Sequence, residues 1–370
     1  MLLRRTDRNL TPMRGELRIW TPAPRNARGA FSVVDPFNAA RSCPLPQFCK
    51  VSGAFALNDE MLENFAFASC KKVKDVAVNV MRAYYARTPQ RMYYFGGSEG
   101  GREGLTMAQR FPADYDGIVS IVPVINWTGL FHAFARNQVP NGLTAYPPWL
   151  YGHEDSLDGP SALNLVRWVT GTAAPASPPD AAHKSTQWIY GSNCIRHAIA
   201  RDRNYDVRSY RPEDFRDRVQ KTSALIDSTN PDLSAFFARG GKRILRENAA
   251  DRAQSALMGL QYHEALVARL GAAAAEKSVR LYVSPGSTHS GNSRGVARGS
   301  AVPTMVDLLD PLDRWVSAGD APANALVQVV KAPLPAFGLQ ASRPMCRHPG
   351  YPRYVGGDRT QASNYQCRAP

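Results

Sequence analysis

The sequence predicts an α/β fold built on a mostly parallel sheet. Three observations carry that prediction. Short β-branched or aromatic runs alternate with amphipathic helical stretches. A glycine-rich turn joins one such run directly to a helix, at residues 96–101. A long central stretch, residues 126–235, breaks the alternation and is followed by its resumption, as an insertion would be.

From residue 54 the elements follow in order. Asn58 is a good helix cap, and Asp59, Glu60 and Glu63 place negative charge in the first turn. Leu62, Phe65, Ala66, Val73, Val76, Val80 and Tyr84 then recur at three- and four-residue steps, which predicts an amphipathic helix ending before Pro89. Arg91–Phe95 reads as a strand, residues 102–110 as a helix and Gly117–Val122 as a buried strand. The stretch 126–235 is rich in Trp, Tyr and Pro and contains the low-complexity run TGTAAPASPPDAA; it is expected to be a lid. Strands are expected again at Arg243–Arg246, Val279–Ser284 and near 325–330, with helices at about 253–270 and across Met305–Val316. The resulting domain plan is a core of residues 51–125 and 236–370 interrupted by the lid. Residues 1–50 hold nine Lys/Arg against three Asp/Glu, show neither period, and are expected to stay outside the sheet as a solvated arm.

Composition excludes some function classes and leaves others open. The chain has 370 residues, of which 44% are apolar, enough for a sizeable core. No run of 18 apolar residues occurs, so no membrane span is expected. The net charge of +14 suits an anionic partner, but the Lys and Arg are scattered and no nucleic-acid-binding motif is present. A basic, solvated surface is the expectation, with no nucleic-acid partner. Six cysteines lack the spacing of a zinc site and fit a disulfide or two in an oxidising compartment. The first residues, MLLRRTDRNL, are basic without an apolar stretch behind them, so no signal peptide is visible.

The chemistry concentrates in Gly96-Gly97-Ser98-Glu99-Gly100, a G-x-S-x-G pattern between a strand and a helix. That context is a nucleophile elbow: a sharp turn exposes the serine, and the flanking glycines let strand and helix approach. The Glu99 amide, at the helix N-terminus, is then one oxyanion donor. Serine alone is a weak nucleophile and needs a base. Of seven histidines, His289 directly follows a strand, at the edge where α/β folds place their sites. Asp251 lies in the loop after the preceding strand, with Glu247 and Asp307 as competing acids. The order Ser98, Asp251, His289 is that of an α/β hydrolase.

Residues 54–370 resemble the tannase and feruloyl esterase family. The resemblance rests on FALNDEMLENFAF, YYFGGSEGGREGLTMAQRFPADYDGIV, DLSAFFARGGKRIL, the Asp251 loop, RLYVSPGSTH and RPMCRHPGYPRYVGGDRTQASNYQC. It implies an α/β-hydrolase fold with a lid insertion, and hydrolysis of small-molecule esters of aromatic, phenolic acids without a cofactor. It carries the nucleophile, acid and base to Ser98, Asp251 and His289, and pairs Cys346 with Cys367 in a disulfide. It also implies a secreted or periplasmic protein, with a cytoplasmic one as the alternative because no signal peptide is visible.

Three departures accompany the resemblance. Many members carry a cysteine before the nucleophile and another after the histidine, joined as a disulfide; here Gly97 and Ser290 occupy those positions. Members often carry a lid calcium loop built from several Asp residues; the nearest acidic stretch here, His153–Gly159, fits poorly, and no metal is expected. Residues 1–50 resemble none of the family's upstream segment, so the N-terminal strands are expected to be missing. That last departure supports a second reading, a truncated and catalytically impaired homologue.

Overall fold

The structure is a computed structural model. It describes residues 53–136, 146–150, 165–179, 185–291, 302–332 and 335–370, and the backbone of 17–20. A seven-stranded sheet forms its centre, with strands β1 (Leu17–Trp20), β2 (Met92–Gly97), β3 (Gly117–Ile121), β4 (Lys242–Asn248), β5 (Val279–Ser284), β6 (Ala325–Lys331) and β7 (Leu339–Arg347). Their spatial order is β1-β2-β3-β4-β5-β7-β6. The first five are parallel, and β7 joins both β5 and β6 antiparallel.

Successive residues of a strand point to opposite faces, and both faces here are apolar. On one side Tyr94, Ile118 and Val279 pack with Leu105, Tyr262 and Leu266 of the helices Glu99–Arg110 and Ala256–Leu270. On the other, Tyr93, Val119, Ile244 and Tyr282 pack with Leu312 and Trp315 of the helix Leu309–Ala318. The sheet is thus covered on both faces, as parallel sheets require.

One sequence expectation is corrected here, and one strand adds to those expected. Four residues of the N-terminal segment do join the sheet: Leu17–Trp20 pairs in parallel with Met92–Phe95. Four residues within an Arg- and Pro-rich stretch are too few to show a period, whereas the backbone edge of β2 supplies ladder partners regardless of pattern. The strand β7 was not foreseen. Arg343 and Pro344 interrupt its alternation, and its place between β5 and β6 is set by pairing across long sequence distance.

The helix foreseen over Asn58–Tyr84 forms from Asp59 to Tyr85, with Asn58 accepting from the Met61 amide at its start. One π-helical turn, Asn64–Ala68, interrupts it. Between β3 and β4 lie the helices Trp127–Arg136, Thr186–Asn193 and Arg216–Ile226. Their core of Trp127, Trp188, Ile195 and Ile226 is continuous with Phe55, Leu62 and Ala66. The short hairpin of β8 (Tyr351–Tyr354) and β9 (Tyr365–Arg368) closes the described chain, and Cys346 is disulfide-bonded to Cys367 with Cα atoms 5.6 Å apart. No helix among the described residues is long and apolar enough to cross a membrane.

Candidate active site

Three strand ends converge on one edge of the sheet. In register, Gly97 of β2 pairs with Ile121 of β3, Ile121 with Arg246 of β4, and Asn248 of β4 with Ser284 of β5. The loops beyond β2, β4 and β5 therefore leave the sheet side by side, and they carry Ser98, Asp251 and His289.

Ser98 has φ 59° and ψ −121°, a conformation that L-residues rarely adopt and that costs on the order of 1–3 kcal/mol. It is held by its surroundings: the Ser98 amide donates to the Ile121 carbonyl at 2.8 Å, and the Ser98 carbonyl accepts from Gly101, Arg102 and Val124. The helix Glu99–Arg110 starts at the next residue. A side chain at Gly96 would place a Cβ 2.3 Å from the Gly100 carbonyl oxygen, so the turn tolerates only glycine there. The amides of Glu99 and Gly100 belong to the first helical turn, whose N–H groups have no intrahelical acceptor.

His289 lies between the other two. Its Nε2 is 2.8 Å from Ser98 Oγ, and its Nδ1 is 2.6 Å from Asp251 Oδ2. Burial alone would push the imidazole pKa down; the Asp251 charge and hydrogen bond outweigh it and hold the pKa above the ordinary value of 6.5. The Asp251 side chain is fully buried, and its second oxygen, Oδ1, accepts from the Ala253 and Gln254 amides. The structure thus brings together Ser98, Asp251 and His289, the three residues singled out from the sequence, with Glu99 adjacent.

The competing residues lie elsewhere. Glu247 is fully buried on β4, against Gly259, and Asp307 caps the helix at Leu309 and Asp310. His132 bonds Thr128 and Tyr210 within the insertion, His197 bonds the Asn193 carbonyl, and His263 packs on His348. His153, His183, Cys43, Cys49 and the acidic stretch 153–159 lie outside the described residues.

Other residues that hold the site were not picked out from sequence. Arg102 is fully buried; it pairs with Glu99 and donates to the carbonyls of Phe65, Ala66 and Ile226. Two of those carbonyls sit in the π-helical turn, where the widened ladder leaves acceptors. Asn248 Nδ2 donates to the Thr288 carbonyl, and the Ala249 and Ala250 amides donate to Ser284 and Ser287, lacing the acid loop to the histidine loop. The signal for the former was the polar run Arg246-Glu247-Asn248 at the end of a central strand, where buried polar residues demand a reason.

The family model for tannase and feruloyl esterase matches residues 46–138 and 129–368. The chain belongs to the tannase and feruloyl esterase family. That membership makes it a carboxylic ester hydrolase. Among relatives, an uncharacterized esterase of Agrobacterium fabrum is 28% identical over 406 residues, covering 85% of this chain and 70% of the relative. A probable feruloyl esterase of Arthroderma benhamiae is 28% identical over 393 residues, covering 84% and 70%. The crystal structure of feruloyl esterase B from Aspergillus oryzae shares the fold, with a TM-score of 0.65 at 22% identity, covering 85% of this chain and 76% of that one.

Proposed function

We propose that this family member is a serine esterase that cleaves esters of aromatic, phenolic acids through an acyl-enzyme. The observation that carries the reading is the double contact of His289, to Ser98 Oγ at 2.8 Å and to Asp251 Oδ2 at 2.6 Å. That is a nucleophile within reach of a base, and a base oriented by an acid. His289 takes the Ser98 proton as Oγ attacks the ester carbonyl; the C–O bond to the alcohol then breaks, and His289 returns the proton to the leaving alkoxide. Water, deprotonated by the same imidazole, releases the acid and restores Ser98. Asp251 holds the tautomer with Nδ1–H and steadies the imidazolium. The Glu99 amide receives the developing oxyanion, and losing such a donor costs about 10²–10³ in rate.

The insertion supports the aromatic part of the reading. Phe131, Phe134, Trp149, Trp168 and Tyr190 form one connected group of rings. We assign residues 126–235 as a lid whose rings flank the acyl group. The Cys346–Cys367 disulfide fits an oxidising, extracytoplasmic compartment. The test is turnover of methyl ferulate, methyl gallate and short-chain alkyl esters by the purified chain. Preference for the aromatic esters is expected. Equal rates on acetate and ferulate esters would remove the phenolic specificity, and no turnover of any ester would return the impaired-homologue reading.

A further inference from the structure

The turn that aims Asp251 is anchored from outside the sheet. Oδ1 of Asp251 accepts from the amides of Ala253 and Gln254, so the carboxylate faces His289 only while residues 251–254 keep their turn. The carbonyl of Arg252, inside that turn, accepts two indole N–H groups: Trp149 Nε1 at 3.1 Å and Trp168 Nε1 at 3.0 Å. A carbonyl oxygen has two lone pairs, and here an insertion tryptophan meets each. The next residues are held from the same side. The Ser255 amide donates to the Tyr146 hydroxyl, and Ser255 Oγ donates to the Pro148 carbonyl. The tryptophans are themselves fixed by rings, with Trp149 stacked on Phe134 and Trp168 edge-on to the same residue.

We propose that Trp149 and Trp168 are positioning residues for hydrolysis, whose paired indole N–H groups hold the Arg252 carbonyl and thereby keep Asp251 directed at His289. The insertion then does more than cover the site: it completes the acid loop. The proposal rests on the serine-esterase reading above. Its chemistry is simple. An indole N–H is a donor only, so no other group on these rings can do this work, and phenylalanine keeps the ring while removing the donor. A turn freed of both donors lets the carboxylate drift from Nδ1, and sub-ångström to ångström misplacement of catalytic groups costs up to about 10²-fold in rate.

The experiment is a kinetic comparison of Trp149→Phe, Trp168→Phe and the double variant, alone and combined with Asp251→Ala, on p-nitrophenyl acetate and methyl ferulate. The expected result is a loss in kcat of about tenfold for each single variant, equal on both esters, with KM little changed. The acid limb of kcat/KM should move to lower pH, because the imidazole loses carboxylate support. In the Asp251→Ala background the Trp variants should have no further effect, since they act through that residue. Tyr146→Phe, which removes the acceptor of the Ser255 amide, should show the same signature more weakly and serves if the Trp variants do not fold. A rise in KM confined to methyl ferulate, with kcat unchanged, would overturn the proposal and leave the tryptophans as acyl-pocket walls alone. Undiminished kcat in the folded variants, or a full additional loss in the Asp251→Ala background, would overturn it too. Full activity of Asp251→Ala itself is a different failure: it would overturn the parent reading of Asp251 as the acid.

Discussion

The side-chain amide of Asn248 donates to the backbone carbonyl of Thr288 at 2.8 Å, tying the end of one strand to the residue before His289. Asn248 is buried and also accepts from Arg246 Nε. Gly97 and Ser290 offer no thiols to join the Ser98 and His289 loops; the Asn248–Thr288 bond instead ties the His289 loop to the strand that leads into the Asp251 loop. Asn248→Ala should lower stability by about 1–3 kcal/mol, the cost of a buried group left unpaired. It should lower kcat more than it raises KM, as His289 loosens. Denaturant unfolding and steady-state kinetics check both; unchanged kcat would mean that the loop holds its shape without this bond.

The pH profile follows from His289. Proton abstraction needs the neutral imidazole, and the Asp251 charge favours the protonated form. The acid limb of kcat/KM should therefore have its midpoint above the ordinary histidine value of 6.5. Asp251→Asn should move that limb to lower pH and reduce kcat by about 10⁴-fold. A limb that stays in place in Asp251→Asn would show that another group sets it.

Arg102 joins the elbow to two other elements, through Glu99, the carbonyls of Phe65 and Ala66, and that of Ile226. Arg102→Met would leave three carbonyls and a carboxylate without their partner. The expected loss of stability is about 1–3 kcal/mol or more, the cost of buried acceptors left unpaired, since the Glu99 carboxylate is partly exposed and can turn to water. Arg102→Lys keeps the charge but not the fork, and should recover only part of it. Thermal unfolding of the two variants decides; equal melting temperatures for wild type and Arg102→Met would rule out the anchoring role.

Glu247 is a buried acid with one carboxyl oxygen, Oε1, unpartnered among the described residues. Burial, and then the charge of Asp251, push its pKa well above 4.5, so the folded protein keeps a proton there that the unfolded chain has released. Its contribution to stability is present at low pH and is lost as pH rises toward the folded value. Glu247→Gln removes that loss, so its stability relative to wild type should improve as pH rises above the ordinary carboxyl value of 4.5 toward the raised folded value. Unfolding at a series of pH values tests this, and a difference that does not vary with pH would contradict it.

The sequence makes some of this legible and leaves the rest hidden, for local reasons. The runs Met92–Gly97 and Gly117–Ile121 are apolar or aromatic and bounded by turns, so their strands were readable. The elbow was readable because Gly96, Ser98 and Gly100 meet a local steric demand. His289 and Asp251 were readable because each follows a strand. The partners of these residues were not: Arg102 reaches Ile226, and Trp149 and Trp168 reach Arg252, across 84 to 124 residues. Such pairs have no period or motif; they exist only once the insertion has folded against the core. The strand Leu17–Trp20 stayed hidden because its pairing belongs to β2 rather than to its own four residues.

The central claim is that Ser98 is the nucleophile of an acyl-enzyme mechanism. The most direct measurement is covalent labelling with a fluorophosphonate, followed by peptide mass spectrometry, on the wild type and Ser98→Ala. The account predicts a single label on the peptide containing Ser98. In Ser98→Ala both the label and ester turnover should be lost, the latter by at least about 10⁴-fold. A label on any other residue, or turnover that survives Ser98→Ala, would contradict it.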